Sequence, residues 1–234
     1  MGLVVRWTVG PCRRTGLVCL KKSVKSWIST FGVGDGLFVC HNGLSEVEIS
    51  FLRDLDVELV DQSKTKHGIK VEAFDSAWKF YPPRLSLNDH EIFIDNDLIV
   101  YEKFGEMQDF LSRKNSAIVT SAHRAFFGNF PPARINPINT GFFGLPPGFD
   151  FGSKINCVIG SGSGWRDHSD DQGVFCNAVE SLNLIIIPLE TIWVSNPNVD
   201  FAPYKEGASG VHFAGSNCGD YSFLKFFLKK HYVF

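Results

Sequence analysis

The sequence predicts an α/β fold, an open sheet with helices packed on its faces, and three observations carry that prediction. Apolar runs at Leu3 to Val9 and Leu37 to Cys40 flank a helical stretch, so the chain opens as strand, helix, strand. In that helix, Leu17 to Phe31, the residues Leu17, Leu20, Val24, Trp27, Ile28 and Phe31 recur at three- and four-residue spacing and share one face. Further on, the β-branched and aromatic run Ile92-Phe93-Ile94 reads as a buried central strand and ends directly on two acids. The carboxyl end of such a strand is where open α/β sheets bind ligands.

The other elements follow the same alternation. A second helix is expected at Leu44 to Leu55, a strand at Val57 to Val60, and a third helix at Val71 to Tyr81, stopped by Pro82-Pro83. The segment His90 to Val100 carries the central strand and the triplet Asp95-Asn96-Asp97. After residue 125 the texture changes to loops rich in Gly, Pro, Asn and Phe, through Phe126 to Gly164, with one strand at Asn139 to Gly144. A helix at Asp170 to Leu182, a strand at Leu184 to Ile187 and a last helix at Asp220 to Lys230 complete the reading.

Composition bounds the function. A chain of 234 residues with 44% hydrophobic and 21% charged residues is expected to fold as a single domain around its own core. With 23 basic against 25 acidic residues, nothing recommends a nucleic-acid partner, which would need many phosphate contacts. Six cysteines are scattered without a CxxC pair, which reads as reduced thiols and a cytoplasmic setting. Met1 to Gly10 reads as a strand rather than a signal peptide. The longest apolar stretch, Leu184 to Ile187, is interrupted by Pro188 and Glu190, far short of the roughly 20 residues a membrane span needs. Of the 22 Phe, those at 126, 127, 130, 142, 143, 149 and 151 have two readings, as core or as pocket lining.

The chemistry concentrates at Asp95 and Asp97. Two carboxylates flanking one residue at the end of a buried strand repel unless a cation, a proton or basic groups compensate them. A divalent ion with oxygen ligands, Mg²⁺ or Mn²⁺, answers that need and is ordinarily completed by water and phosphate, so a diphosphate ligand follows. The competing reading is a turn in which one acid serves as a cap. Gly160-Ser161-Gly162-Ser163-Gly164 has the composition of a phosphate loop but lacks the Gly-Lys-Ser/Thr ending, and reads as a lid or turn.

Three further polar clusters stand downstream: Asn139-Thr140-Gly141, Asp170-Asp171-Gln172 and His212-Phe213-Ala214-Gly215. The series resembles the GT-A fold of nucleotide-sugar glycosyltransferases, particularly the glycogenin and lipopolysaccharide galactosyltransferase family, which runs DxD, Asn-Ser-Gly, Asp-Gln and His-x-x-Gly. The resemblance implies a Rossmann-like central mixed sheet flanked by helices. Residues 1–125 would form the nucleotide- and metal-binding half and residues 126–234 the half that binds sugar and acceptor.

It further implies transfer of a sugar from a UDP- or GDP-sugar to a glycan or glycolipid acceptor, with Asp95, Asp97 and His212 holding Mn²⁺ or Mg²⁺. Asn139, Thr140, Gly141, Asp171 and Gln172 would line the sugar and acceptor pocket. In a retaining enzyme Gln172 would lie near the anomeric carbon; an inverting one needs a carboxylate base, for which Asp170 and Asp171 are the candidates. Lys79, with Arg84 as the alternative, would meet the diphosphate; Thr8, Val9 and Arg13 would meet the base and ribose, beside Asp95 and Asn96. The chain departs from the family at Ser216-Asn217-Cys218, where the family carries Lys-Pro-Trp, and Lys225 or Arg166 would take that lysine's place.

Two other functions are open to these residues. A phosphatase of the haloacid dehalogenase type also places DxD at a strand end, but expects Thr or Val where this chain has Ile99. A non-catalytic carbohydrate-binding module would use the aromatic loops to stack on sugars, with the acids as turn formers. The C-terminal stretch Phe223 to Phe234, with Lys225, Lys229 and Lys230, has two readings, core packing or peripheral contact with a membrane.

Overall fold

Strands with no exposed residue need cover on both faces, and the order of elements supplies it. The computed structural model describes residues 2–10, 12, 14–64, 75–122, 127–132, 137–161, 165–166, 170–195 and 205–214. Its first half runs β1 (Leu3–Val9), α1 (Arg14–Phe31), β2 (Gly36–His41), α2 (Glu46–Leu52), β3 (Glu58–Asp61), β4 (His90–Ile94), β5 (Leu98–Val100) and α3 (Glu106–Ser112). The second half runs β6 (Ser116–Ser121), β7 (Ile138–Leu145), α4 (Phe151–Ser161), α5 (Asp170–Glu180), β8 (Ile185–Leu189), β9 (Ile192–Val194) and β10 (Gly210–His212). Seven strands form one mixed sheet in the order β3-β2-β1-β4-β7-β6-β8, and β5-β10-β9 form a small second sheet. β1, β2, β3 and β4 are parallel neighbours, while β7 runs antiparallel to both β4 and β6.

The sheet separates two apolar clusters, and β7 shows how. Successive side chains of a strand point to opposite faces, so Phe142 joins one cluster and Phe143 the other. On the first face α1 presents the stripe its periodicity predicts, with Leu17, Leu20, Val24 and Trp27 buried and Ile28 and Phe31 packed against them. On the second face the Phe143 ring lies 4.3 Å from Phe93 and 4.5 Å from Phe175, centroid to centroid. Each fully buried large apolar side chain contributes about 1.5–3 kcal/mol. The Phe-rich loops of the sequence reading are therefore largely core: Phe130, Phe142, Phe143 and Phe151 are buried, and Phe127 and Phe149 pack against them.

The structure corrects several expected elements. The helix expected at Val71 to Tyr81 is a 3-10 helix, Asp75–Phe80, in its described part. Its end is fastened by buried side chains: Gln62 Nε2 donates to the carbonyls of Trp78 and Tyr81, and Arg6 donates to that of Lys79. The Phe126 to Gly164 stretch, read as loops with one strand, also contains α4, whose Phe151, Ile155 and Ile159 are buried at four-residue spacing. α3, β6, β9 and β10 are further elements that the sequence reading did not assign. The expected helix at Asp220 to Lys230, Phe126 and Gly162 to Gly164 lie outside the described residues. No helix among the described residues is long and apolar enough to cross a membrane.

One polar cluster is built into the sheet itself. Arg6 on β1 and Glu91 on β4 are fully buried, 3.3 Å apart, and Arg84 Nε meets the second Glu91 oxygen at 3.0 Å. Glu91 also accepts the backbone N–H groups of Leu85 and Ser86, and Arg6 lies 4.2 Å over the Phe93 ring. Removing one partner of a buried ion cluster costs about 3–5 kcal/mol, because the remaining charge cannot reach water. Glu91→Ala should lose stability on that scale in a denaturant titration; a loss below about 1 kcal/mol, the surface ion-pair range, would show that the cluster does not brace the sheet.

Candidate functional site

The Asp95-Asn96-Asp97 triplet is a turn between β4 and β5, held through its backbone by neighbouring elements. Leu98 N–H donates to the Asp95 carbonyl at 3.2 Å, closing the turn. Asp95 N–H donates to the Gly141 carbonyl of β7 at 2.8 Å, and Phe213 N–H, just past β10, donates to the Asp97 carbonyl at 3.2 Å. From beneath, Ser23 of α1 accepts the Trp7 indole N–H at 2.8 Å and donates to the Asp95 carbonyl at 3.4 Å. Ser26 accepts from Val100 N–H at 3.1 Å. Small hydroxyl residues on the buried face of α1 thus satisfy the backbone where the main sheet hands over to the small one.

His212 reaches this turn because β10 lies antiparallel to β5, with His212 opposite Leu98. Its Nε2 stands 3.2 Å from Asp97 and 3.6 Å from Asp95. One ligand atom from each of Asp95, Asp97 and His212 lies within 4.8 Å of the others. Two carboxylate oxygens and one imidazole nitrogen fit a divalent transition ion such as Mn²⁺ better than Mg²⁺, which prefers oxygen. Asp95 and Asp97 are half-buried, which leaves them accessible to a ligand, while His212 is buried behind them.

Lys79 connects this cluster to α5. Its Nζ lies 3.0 Å from Asp95 Oδ1 and 2.7 Å from Asp171 Oδ2, and donates to the Thr140 carbonyl at 3.2 Å. Thr140 Oγ1 donates to the same Asp171 oxygen at 2.7 Å, and Gln172 N–H donates to the other at 2.7 Å. Burial pulls the lysine toward neutrality, but the two carboxylates outweigh it and hold its pKa well above the usual range. Asp95 is pushed up from the ordinary carboxylate value, by burial first, against the pull of Lys79 and His212. For His212 burial acts downward, and the Asp97 carboxylate and then Asp95 outweigh it, so the imidazole is held above its ordinary value.

Of the residues expected at the site, Lys79, Asp95, Asp97, Thr140, Gly141, Asp171 and His212 converge. Asn139 accepts Gly141 N–H at 2.8 Å and so shapes the β7 backbone there. Gln172 is adjacent, and its side-chain oxygen is buried with no hydrogen-bond partner among the described residues. Thr8 and Val9 follow Trp7, which pairs with Ile94, so they end β1 on the edge that carries Asp95; Asn96 is the half-buried centre of the turn. Arg84 stands apart, on Glu91 and the carbonyls of Asp89, Pro146 and Phe149. Asp170 serves the fold as well, since its oxygens accept the backbone N–H groups of Asn129 and Arg166, each at 2.6 Å, and fasten those segments to the start of α5. Arg13, Gly215 and Lys225 lie outside the described residues. What the sequence reading missed is the support behind Lys79, namely Arg6 and Glu91; its signal is a charge inside each of two apolar strand runs, LVVRWTV and HEIFI.

No protein-family model matches the sequence, and no curated protein matches it. Solved structures do. The galactosyltransferase LgtC, in complex with donor and acceptor sugar analogues, superposes with a TM-score of 0.60 at 10% identity, over 95% of this chain and 94% of that one. Mouse xyloside xylosyltransferase 1 does so at 0.55 and 12% identity, over 92% and 98%. A glycosyltransferase involved in glycosylation of the major capsid of PBCV-1 gives 0.54 at 14% identity, over 95% and 98%. The chain has the GT-A glycosyltransferase fold. Within that fold it resembles LgtC over nearly its whole length.

The raised His212 pKa makes stability depend on pH in a defined direction. A group held above its unfolded value stabilises the fold fully below that value, here 6.5, and the contribution is lost as pH rises through the folded pKa. In metal-free protein, the stability difference between the native chain and His212→Gln should therefore shrink as pH climbs above 6.5, read by denaturant unfolding. A difference that stays constant with pH would show that folding leaves the imidazole's affinity for its proton unchanged, and one that grows as pH rises would show that the folded site keeps the ring neutral.

Proposed function

We propose that the protein is a glycosyltransferase that moves a sugar from a nucleoside-diphosphate sugar, UDP- or GDP-linked, to a hydroxyl of a glycan or glycolipid acceptor. The observation that carries this reading is the convergence of Asp95, Asp97 and His212 at the β4 edge of a GT-A fold. These three residues would hold Mn²⁺ or Mg²⁺, which when bound neutralises the diphosphate as it departs. The chain's own residues then have separable roles. The end of β1, Thr8 and Val9, would seat the nucleotide, Asn96 would border it, and Lys79 would supply fixed positive charge beside the diphosphate without needing to move. Asn139, Thr140 and Gly141 would form the floor beneath the transferred sugar.

Both Asp170 and Asp171 accept hydrogen bonds from N–H, lysine or hydroxyl donors, so either would have to act as a base with those contacts in place. That favours the retaining alternative, in which Gln172 would lie near the anomeric carbon. The six cysteines scattered without a CxxC pair support the cytoplasmic setting. The site takes residues from before and after position 125, so the reading treats residues 1–234 as one catalytic domain, with nucleotide and metal held chiefly by the first half and sugar and acceptor by the second.

Thermal melting against a panel of nucleoside diphosphates and nucleotide sugars, with and without Mn²⁺, tests this. A ligand at 100 times its Kd stabilises by about 2.7 kcal/mol, and a chain of this size gains about 2–4 °C per kcal/mol. One nucleotide should therefore raise the Tm by several degrees only when Mn²⁺ is present, and Asp97→Ala should abolish the response together with sugar transfer. Stabilisation by glycans that is indifferent to a chelator would replace this reading with a carbohydrate-binding module.

A further inference from the structure

Gly141 is the point in β7 where the main sheet touches the His212 ring. A Cβ built at this position would stand 2.7 Å from Cγ of His212 and closer still to Cε1 and Nδ1, so the three nearest atoms all belong to that ring. Side-chain carbons do not approach so closely, and the ring, buried in the core of the site, has little room to yield. The conformation of Gly141 does not itself require glycine: it lies outside the positive-φ set and is an ordinary strand residue in β7. Its carbonyl accepts Asp95 N–H and its own N–H donates to Asn139, so the backbone is fixed and cannot draw back. The only property of glycine in use here is the missing side chain.

We propose that Gly141 is a positioning residue whose empty Cβ position seats His212, and that it thereby gives the Asp95–Asp97 pair its nitrogen ligand. The ring's Nδ1 edge is pressed against Gly141, where it has no hydrogen-bond partner, which leaves Nε2 as the nitrogen turned to the two carboxylates. The inference rests on reading this cluster as a metal centre. It adds that a residue with no ligand atom of its own for the metal sets whether the site is an all-oxygen one or one with a nitrogen donor. With any larger residue at 141 the ring is displaced and the site falls back on carboxylates, losing affinity for Mn²⁺ more than for Mg²⁺.

The experiment is a double-variant cycle of Gly141→Ala and His212→Ala, read by calorimetric titration with MnCl₂ and by melting of the metal-free proteins. Gly141→Ala should weaken Mn²⁺ binding about 10–100-fold, the range for residues that orient a ligand. His212→Ala should do the same, and the double variant should bind no worse than His212→Ala alone, because the ring that the methyl displaces is gone. In metal-free melting, Gly141→Ala should lower the Tm in the native background and leave it unchanged in the His212→Ala background. Wild-type Mn²⁺ affinity in Gly141→Ala, or losses that multiply in the double variant, would overturn the proposal. Should Gly141→Ala fail to fold, a folded double variant supports ring seating and an unfolded one refutes it. Failure of the native protein to bind Mn²⁺ would instead overturn the metal-centre reading, and the two melting comparisons would still decide whether Gly141 seats the ring.

Discussion

Three carboxylates, those of Asp95, Asp97 and Asp171, are gathered at the end of one buried strand, and their mutual repulsion is the constraint to which the neighbouring structure responds. Lys79 sits between Asp95 and Asp171, and His212 closes on Asp95 and Asp97 from the other side. Each of these cations comes from an element that the main sheet does not contain. Lys79 is delivered by a 3-10 helix and His212 by the small second sheet. A site whose charge balance is assembled from separate elements can admit a further cation, because the half-buried Asp95 and Asp97 keep one side open while their protein partners approach from the buried side.

The same logic explains the cost accepted elsewhere in the sheet. Lys79 is useful only if its backbone is fixed, and that backbone is held through its carbonyl by Arg6. Arg6 is in turn neutralised by Glu91, which also binds Arg84 and the N–H groups that follow it. A buried ion cluster of this kind is a poor source of net stability compared with an apolar core, so its value here is in fixing geometry. The polar site at the carboxyl end of β4 is therefore braced by a second polar cluster near the amino end of the same strand.

Much of this was legible in the sequence where one element answers to one period. The α1 stripe, the first two strands and the Ile92-Phe93-Ile94 run are local patterns, and the structure places them as expected. The turn acids were legible because two carboxylates beside a buried strand have few physical solutions. What was not legible depends on long-range partners. β9 and β10 are three residues each, too short to show a period, and exist through pairing with one another and with β5. Gly152 and Gly160 disguised α4, although Phe151, Ile155 and Ile159 carried the helical spacing. Arg84 stands in the sequence as the alternative to Lys79 for the diphosphate, and only the fold reveals that Glu91 claims it.

A divalent-metal site at Asp95, Asp97 and His212 and a merely hydrogen-bonded turn differ in one direct observable. Anomalous diffraction at the manganese edge, from crystals grown with MnCl₂, reads it. A metal centre predicts one strong peak at bonding distance from an oxygen of Asp95, an oxygen of Asp97 and Nε2 of His212. A protein that crystallises with Mn²⁺ in excess and shows no peak there, or shows its peak at other residues, would contradict the metal centre.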